Sequence, residues 1–321
     1  MLHLRVLCPA ERTAAVRKLM LDEPGATHVT VLPGAAVQPE GDVLEAAVTR
    51  ECADRVLTGL IGLEINRVGG ITLEPIDTVL SGYADAAEEA VPGDPADAVI
   101  WEELVTRTGE DSRLTVSFLA FLTIACLLAA IGAITNSPVT VVGAMVLGPE
   151  FGPLAALAVG LVLRRAELLR RSALALGIGF PVAVAVTALA ALLFRATGLL
   201  TVSKPIDTSQ VDFIYEVGPF SLIIALLAGA AGILSLTSAK SSALVGVFIS
   251  VTTVPAAAFV AVAAVEGHWQ QAVSSLVQLV VNLVGIVVAA ALVLWLSPST
   301  RATAATRAPA VNGDLHALDD A

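Results

Sequence analysis

Glu150 is the residue whose type and setting most demand a chemical role. It stands in Gly148-Pro149-Glu150-Phe151-Gly152-Pro153, a break near the middle of an otherwise apolar stretch from 138 to 163. Pro149 and Pro153 each lack an amide hydrogen and clash with the preceding turn. Gly148 and Gly152 loosen the main chain further. Backbone groups freed at such depth need protein or water as partners, so this segment is expected to line a cavity or pack against one. Glu150 is also the acidic residue that falls inside the apolar part of a span. An ionised side chain at the bilayer centre costs on the order of 3 kcal/mol or more. Glu150 therefore reads as a proton carrier or, with a partner, a cation ligand. The plainer alternative puts the break at the water interface, with Glu150 simply hydrated.

Two other places offer polar groups inside apolar runs. Ser250-Val251-Thr252-Thr253-Val254-Pro255 supplies hydroxyls and a proline kink, so a second broken helix is expected in span 5; the hydroxyls could bond freed carbonyls or face a substrate. Gln278 and Asn282 are one helical turn apart and form a polar stripe, which in lipid glues helices together more often than it binds substrate. Gly177 and Gly179 read as close-packing positions. A solute or ion pathway would thus draw on Glu150, Pro149, Pro153, Thr252, Thr253 and Asn282, with Gly148 and Gly152 as helix-break glycines. The three cysteines (Cys8, Cys52, Cys126) and four histidines (His3, His28, His268, His316) have no metal-ligand spacing. With no nucleophile–base pair and no HExxH, neither an enzyme nor a cofactor is expected.

The elements that must hold these residues are membrane helices. The 321 residues are 56% hydrophobic and 15% charged, with a mean hydropathy of +0.83. Soluble chains carry about a quarter charged residues, so lipid is the solvent for much of this one. Six spans are expected, at 114–134, 138–163, 172–194, 219–236, 243–265 and 272–296, each near the roughly 20 residues that cross a bilayer as helix. Arg164, Arg165, Arg170 and Arg171 crowd the connection between spans 2 and 3, which should stay in the cytoplasm. Both termini then lie inside, where Arg113, Lys240, Arg301 and Arg307 also fall. The outside loops hold Arg195 and Lys204 beside Asp207, Asp212 and Glu216. A bacterial inner-membrane location follows, with the lipid bilayer as partner. No signal peptide is expected, since the short apolar run at 2–8 contains His3 and Arg5 and no cleavage site follows.

Ahead of the spans lies an acidic front end. Residues 1–111 hold 20 acidic and 8 basic side chains, whereas the remainder holds 9 and 10, for a net charge of −11. That balance argues against nucleic acid as a partner. Strands are expected at 2–8, 27–32, 43–49 and 71–76, with helices at 9–21 and 52–63 and a loop at 33–42. The order β-α-β-β-α-β is the ferredoxin-like pattern. Such a module serves equally as a sensor of a small molecule or as a docking or oligomerisation unit, and a dimer and a trimer are both open. The domains are therefore a ferredoxin-like domain at 1–80, a linker with an amphipathic helix at 81–112, the transmembrane domain at 113–297 and a disordered tail at 298–321. The linker helix, 96–108, could lie on the bilayer or pack against the soluble domain. Its acidic polar face favours packing.

One offset aligns the two halves of the apolar region. A shift of 103 residues carries Asn136-Ser137-Pro138 onto Ala239-Lys240-Ser241, Val142-Gly143-Ala144 onto Val245-Gly246-Val247, Gly152 onto Pro255 and Glu167 onto Gln270. Spans 1–3 then fall on spans 4–6. Three spans per unit is an odd number, so the second unit must be inverted, an arrangement found in secondary transporters with sites between the repeats.

The run Asn136-Ser137-Pro138-Val139, then Val142-Gly143-Ala144-Met145 and the Pro149…Gly152-Pro153 break, resembles the domain-of-unknown-function 389 family of hydrophobic bacterial membrane proteins. The front end, with Pro39-Glu40-Gly41-Asp42 before its third strand, is similar to that of some members. Many members have an apolar or small residue where this chain has Glu150. The resemblance implies topology and gives no substrate. The expected function is an inner-membrane transporter or channel-like protein for a small solute or ion, a homo-oligomer, regulated by ligand sensing in the cytoplasmic domain. The rival is a non-transporting sensor or scaffold whose soluble domain binds a small ligand such as a nucleotide or mediates assembly.

Overall fold

Alternate side chains of Leu2–Cys8 turn inward, so that Leu2, Leu4, Val6 and Cys8 are buried and the segment forms strand β1. The computed structural model describes residues 1–93, 98–199, 218–237 and 245–297, with the main chain alone for 219 and 245–252. The chain divides into two units, Met1–Glu110 with Leu234–Ala243, and Asp111–Ile233 with Leu244–Ala321.

In the first unit, β2 (Ala26–Val37), β3 (Glu40–Val48) and β4 (Gly70–Pro75) join β1 in an antiparallel sheet of order β2-β3-β1-β4. Helices α1 (Thr13–Asp22) and α2 (Arg50–Gly62) cover one face, and the single turn α3 (Ile65–Val68) precedes β4. Val16 and Met20 of α1 and Cys52, Val56 and Leu60 of α2 complete the core with β1. This is the β-α-β-β-α-β order expected.

The loop expected at 33–42 is instead mostly strand. The β2–β3 ladder runs on to Val37 opposite Glu40, leaving Gln38-Pro39 as the turn. A register shift between Leu32 and Ala36 absorbs Pro33 and Gly34. Pro33 is tolerated because β2 is an edge strand, where a missing amide hydrogen interrupts no second ladder. The linker expected at 81–112 also holds more structure than one amphipathic helix. Helix α4 (Gly82–Ala90) follows an N-cap at Ser81, and α5 spans Trp101–Asp111. Ile100 joins the sheet domain's core, and the Trp101 amide donates to Asp54 Oδ1 at 3.1 Å. The linker segment therefore packs on the sheet domain. The start of that expected helix, at 96–97, lies outside the described residues.

The second unit is helical: α6 (Val116–Ile134), α7 (Pro138–Leu147), α8 (Phe151–Leu163), α9 (Ala166–Ala196), α10 (Pro219–Thr237), α11 (Val245–Glu266) and α12 (Trp269–Leu296). Among the described residues α6, α9, α10 and α12 are long and apolar enough to cross a membrane, and α7 with α8, bent by 53°, make a fifth if they are one span. Six spans were expected; length and composition establish four to five. The expected residues Lys204, Asp207, Asp212, Glu216, Lys240 and the tail at 298–321 lie outside the described residues.

Corners between helices are short because each residue in them has a structural task. After α6, Asn136 takes the left-handed conformation (φ 49°), Ser137 caps α7 by accepting from the Thr140 amide, and Pro138 opens the helix. After α8, Arg164 is left-handed (φ 54°), and Gly267 does the same after α11 (φ 84°). The two corners share hydrogen bonds: Arg165 N–H to Gly160 O (3.0 Å) matches His268 N–H to Ala263 O (2.9 Å), and Leu169 N–H to Arg165 O (3.2 Å) matches Ala272 N–H to His268 O (3.0 Å). Every one of these residues is displaced by 103. The same offset carries both ends of α6 onto both ends of α10, the end of α8 onto that of α11, and the start of α9 onto that of α12.

Candidate functional site

Pro149 decides where α7 stops. The residue before a proline is pushed away from helical conformation, and Gly148 is accordingly extended at ψ 121°. Pro153 breaks nothing, because it sits in the first turn of α8, where amide hydrogens have no intrahelical acceptor. Gly152 likewise lies inside α8. Its missing side chain leaves room for Asp111, whose Cβ would stand 2.5 Å from an added Cβ. The break is thus the three residues Gly148, Pro149 and Glu150.

The second break expected, in span 5, is absent. Helix α11 runs from Val245 to Glu266 with Pro255 inside it. One proline without a neighbouring glycine removes a single bond from the ladder, which a helix held by its neighbours tolerates.

Glu150 precedes α8 but does not cap it through its side chain. The carboxylate instead accepts a hydrogen bond from the Thr253 hydroxyl of α11, Oγ1 to Oε1 at 2.6 Å. Both residues are fully buried. The Glu150 side chain is therefore shielded from water in this conformation. The apolar core of this unit is rich in small residues, including Ala125, Ala129, Ala144, Ala256 and Ala257. Among the described buried residues of this unit no lysine, arginine or histidine accompanies the carboxyl. Such a group can hold a proton, or a small cation with help from hydroxyl and carbonyl oxygens.

Asn282 belongs to a second buried set. Ser221 of α10 donates to Asn282 Oδ1 at 3.1 Å and accepts from Gln278 Nε2 at 3.1 Å. The Gln278–Asn282 stripe was legible from its spacing; Ser221 was not, since a lone serine near a helix start carries no pattern. Pro149 is half-buried and Pro153 buried. Thr252 lies in α11, with its side chain outside the described residues.

In the sheet unit, an open hollow of about 410 Å³ is lined by Ala15, Lys18, Leu19, Asp22, Glu23 and Leu63. Burial is the main cause raising the Cys8 and Cys52 thiols, so neither is a ready thiolate. Among the described residues no three His, Cys, Asp or Glu side chains are grouped to hold a metal.

Long apolar helices packed through small residues, behind a small antiparallel sheet domain, define a helical membrane protein. The chain resembles the family described as "Domain of unknown function (DUF389)", whose model matches residues 145–288, from the end of α7 into α12. That stretch contains the Pro149…Gly152-Pro153 break and lies beyond the Asn136–Val139 corner. An uncharacterized protein of Methanocaldococcus jannaschii is 26% identical over 217 residues, which cover 67% of this chain and 63% of that protein. The match thus spans under two thirds of that relative's length. No solved structure matches the chain.

Proposed function

We propose that this protein is a transporter or channel-like protein of the cell's inner membrane, with the Glu150–Thr253 pair in the pathway of a small solute or ion. The observation that carries the reading is the pair itself: a carboxyl buried beside a helix break and hydrogen-bonded to a buried hydroxyl. A group so expensive to bury is kept where its charge is used. In this reading the six spans form an inverted repeat of three-span halves. Support comes from the offset of 103 shared by helix ends and corner bonds, and from reciprocal packing, in which α9 lies on α11 and α12 lies on α8. The soluble domain is cytoplasmic, as the arginines at the α8–α9 corner favour, and senses a small ligand; the protein works as a homo-oligomer.

The test is flux in proteoliposomes, run against a panel of inorganic ions and small organic solutes with a proton gradient in either direction. A solute whose flux exceeds that of empty vesicles and falls with Glu150→Gln supports the reading. If every solute tried matches empty vesicles, the reading fails. The rival, a non-transporting sensor or scaffold, draws on the complete burial of both residues in this conformation. Thermal shifts of the full chain with nucleotides and amino acids, in the absence of flux, would favour that rival.

A further inference from the structure

We propose that the buried carboxyl is a shared site on the axis that exchanges the two halves of the helical unit, so that position 150 or position 253 can supply the carboxyl and the other the hydroxyl. The proposal rests on the inverted-repeat part of the function proposed above. Its ligand is a single proton or one small monovalent cation, the species that suit a carboxylate beside a hydroxyl.

The geometry carries it. The residues joined by the 2.6 Å bond are 103 positions apart, which is the repeat offset. Under a two-fold axis most residues lie far from their own counterparts; those that touch their counterparts straddle the axis. The two-fold character comes from reciprocity. A simple translation would not place α9 on α11 and also α12 on α8, whereas an exchange of halves requires both.

Side-chain contacts within each half repeat at the same offset. Gly179 packs so near the Phe118 ring that an added Cβ would stand 2.8 Å from Cε1. The equivalent positions hold Asn282 and Ser221, which are hydrogen-bonded. A helix contact made by glycine and an aromatic ring in one half is made by an amide and a hydroxyl in the other. The backbone relationship therefore tolerates an exchange of chemistry.

On the axis, a carboxyl and a hydroxyl differ in reach but sum to the same length from either side. An on-axis charge has the same standing toward both halves, so a single group serves a protein whose halves trade conformations. Two carboxyls there would be forced to share a proton.

The full-length protein in detergent micelles is compared as wild type, Glu150→Thr, Thr253→Glu and the double exchange. Each is treated with dicyclohexylcarbodiimide, an apolar carbodiimide. The protonated carboxyl adds its O–H across one N=C bond of the reagent, releasing nothing, so the protein gains the mass of one reagent molecule. Intact mass and peptide mapping locate the adduct. The expected result is an adduct at position 150 in wild type, loss of that adduct in Glu150→Thr, and its reappearance at position 253 in the double exchange. The double exchange should also regain most of the melting temperature lost by the single variants.

A double exchange that folds without an adduct at 253, or that fails to fold while the single variants do, overturns the proposal. If all three variants fail to fold, spin labels away from the site decide. With Cys8, Cys52 and Cys126 replaced by alanine, the distances Leu174–Ala264 and Val277–Leu161 are related by the same axis. Equal distances support the proposal and unequal ones overturn it. Flux lost in Glu150→Gln together with an unlabelled, folded exchange would leave transport standing and remove the shared site. A labelled exchange with no flux above empty vesicles would do the reverse.

Discussion

The Thr253 hydroxyl donates to the Glu150 carboxylate at 2.6 Å, and 103 residues separate the two, the same interval that carries α6 onto α10. The contact joins the local chemistry of a helix break to the packing of α11. It also gives the helical unit a point where small changes have large consequences.

Removing the hydroxyl should be felt as a lost partner for a buried charge-bearing group. Thr253→Ala is expected to destabilise the protein by about 1–3 kcal/mol. Thr253→Ser, which keeps the donor and loses a methyl, should cost about 1 kcal/mol. Denaturation midpoints in detergent check both, and equal losses for the two variants would remove the hydrogen bond from the account.

Gly229 faces the main chain of α12, where an added Cβ would stand 2.3 Å from the Ile286 carbonyl oxygen. Helices approach this closely only through small residues. Gly229→Ala should therefore cost about 2–3 kcal/mol. Gly143 has open space around it, and Gly143→Ala should stabilise α7 by up to about 1 kcal/mol. The opposite signs separate packing from helix propensity in one thermal-denaturation experiment.

At the two matching corners the chain uses different residues for one conformation. Arg164 adopts it at φ 54° and Gly267 at φ 84°. A side chain in the left-handed region costs about 1 kcal/mol. Arg164→Gly should raise stability by that amount and Gly267→Ala should lower it, read as shifts in melting temperature.

Asp42 ties the β2–β3 hairpin to α1, accepting from the Thr13 hydroxyl at 2.6 Å and the Gly34 amide at 2.8 Å. The Thr13 bond first, then the Gly34 bond, hold its carboxyl below the usual carboxylate range. A group whose folded pKa is depressed contributes stability that is present above its unfolded value, about 3.9. That contribution is lost as pH falls through the folded value. Protection factors of the β2 and β3 amides in the full chain, corrected for the intrinsic exchange rate, should fall in acid, and Asp42→Asn should flatten that acid dependence.

Much of this was legible in the residues. Alternation at 2–8 marks β1 because one face of a strand meets a core and the other meets water. Pro149 after a glycine marks the end of α7, since proline acts on its nearest neighbours alone. Pro255 misled for a related reason: a proline's local effect is fixed, but neighbouring helices decide whether the helix ends or only loses a bond. The hairpin at 33–42 was missed because its pairing is with β3, across the sheet, and Pro33 and Gly34 carry the signature of a loop.

Composition and periodicity by themselves determined that the chain has an acidic sheet domain and long apolar helices. Those properties follow from each segment's own preference for water, lipid and local conformation. Which residues meet was decided by tertiary packing alone. The sequence singled out Glu150 as costly to bury and Thr253 as one hydroxyl among several, but a hydrogen bond across 103 residues depends on how α8 and α11 cross. Ser221 reaching Asn282 and Gln278 depends likewise on the approach of α10 to α12, a relation between helices that no single stretch of chain encodes.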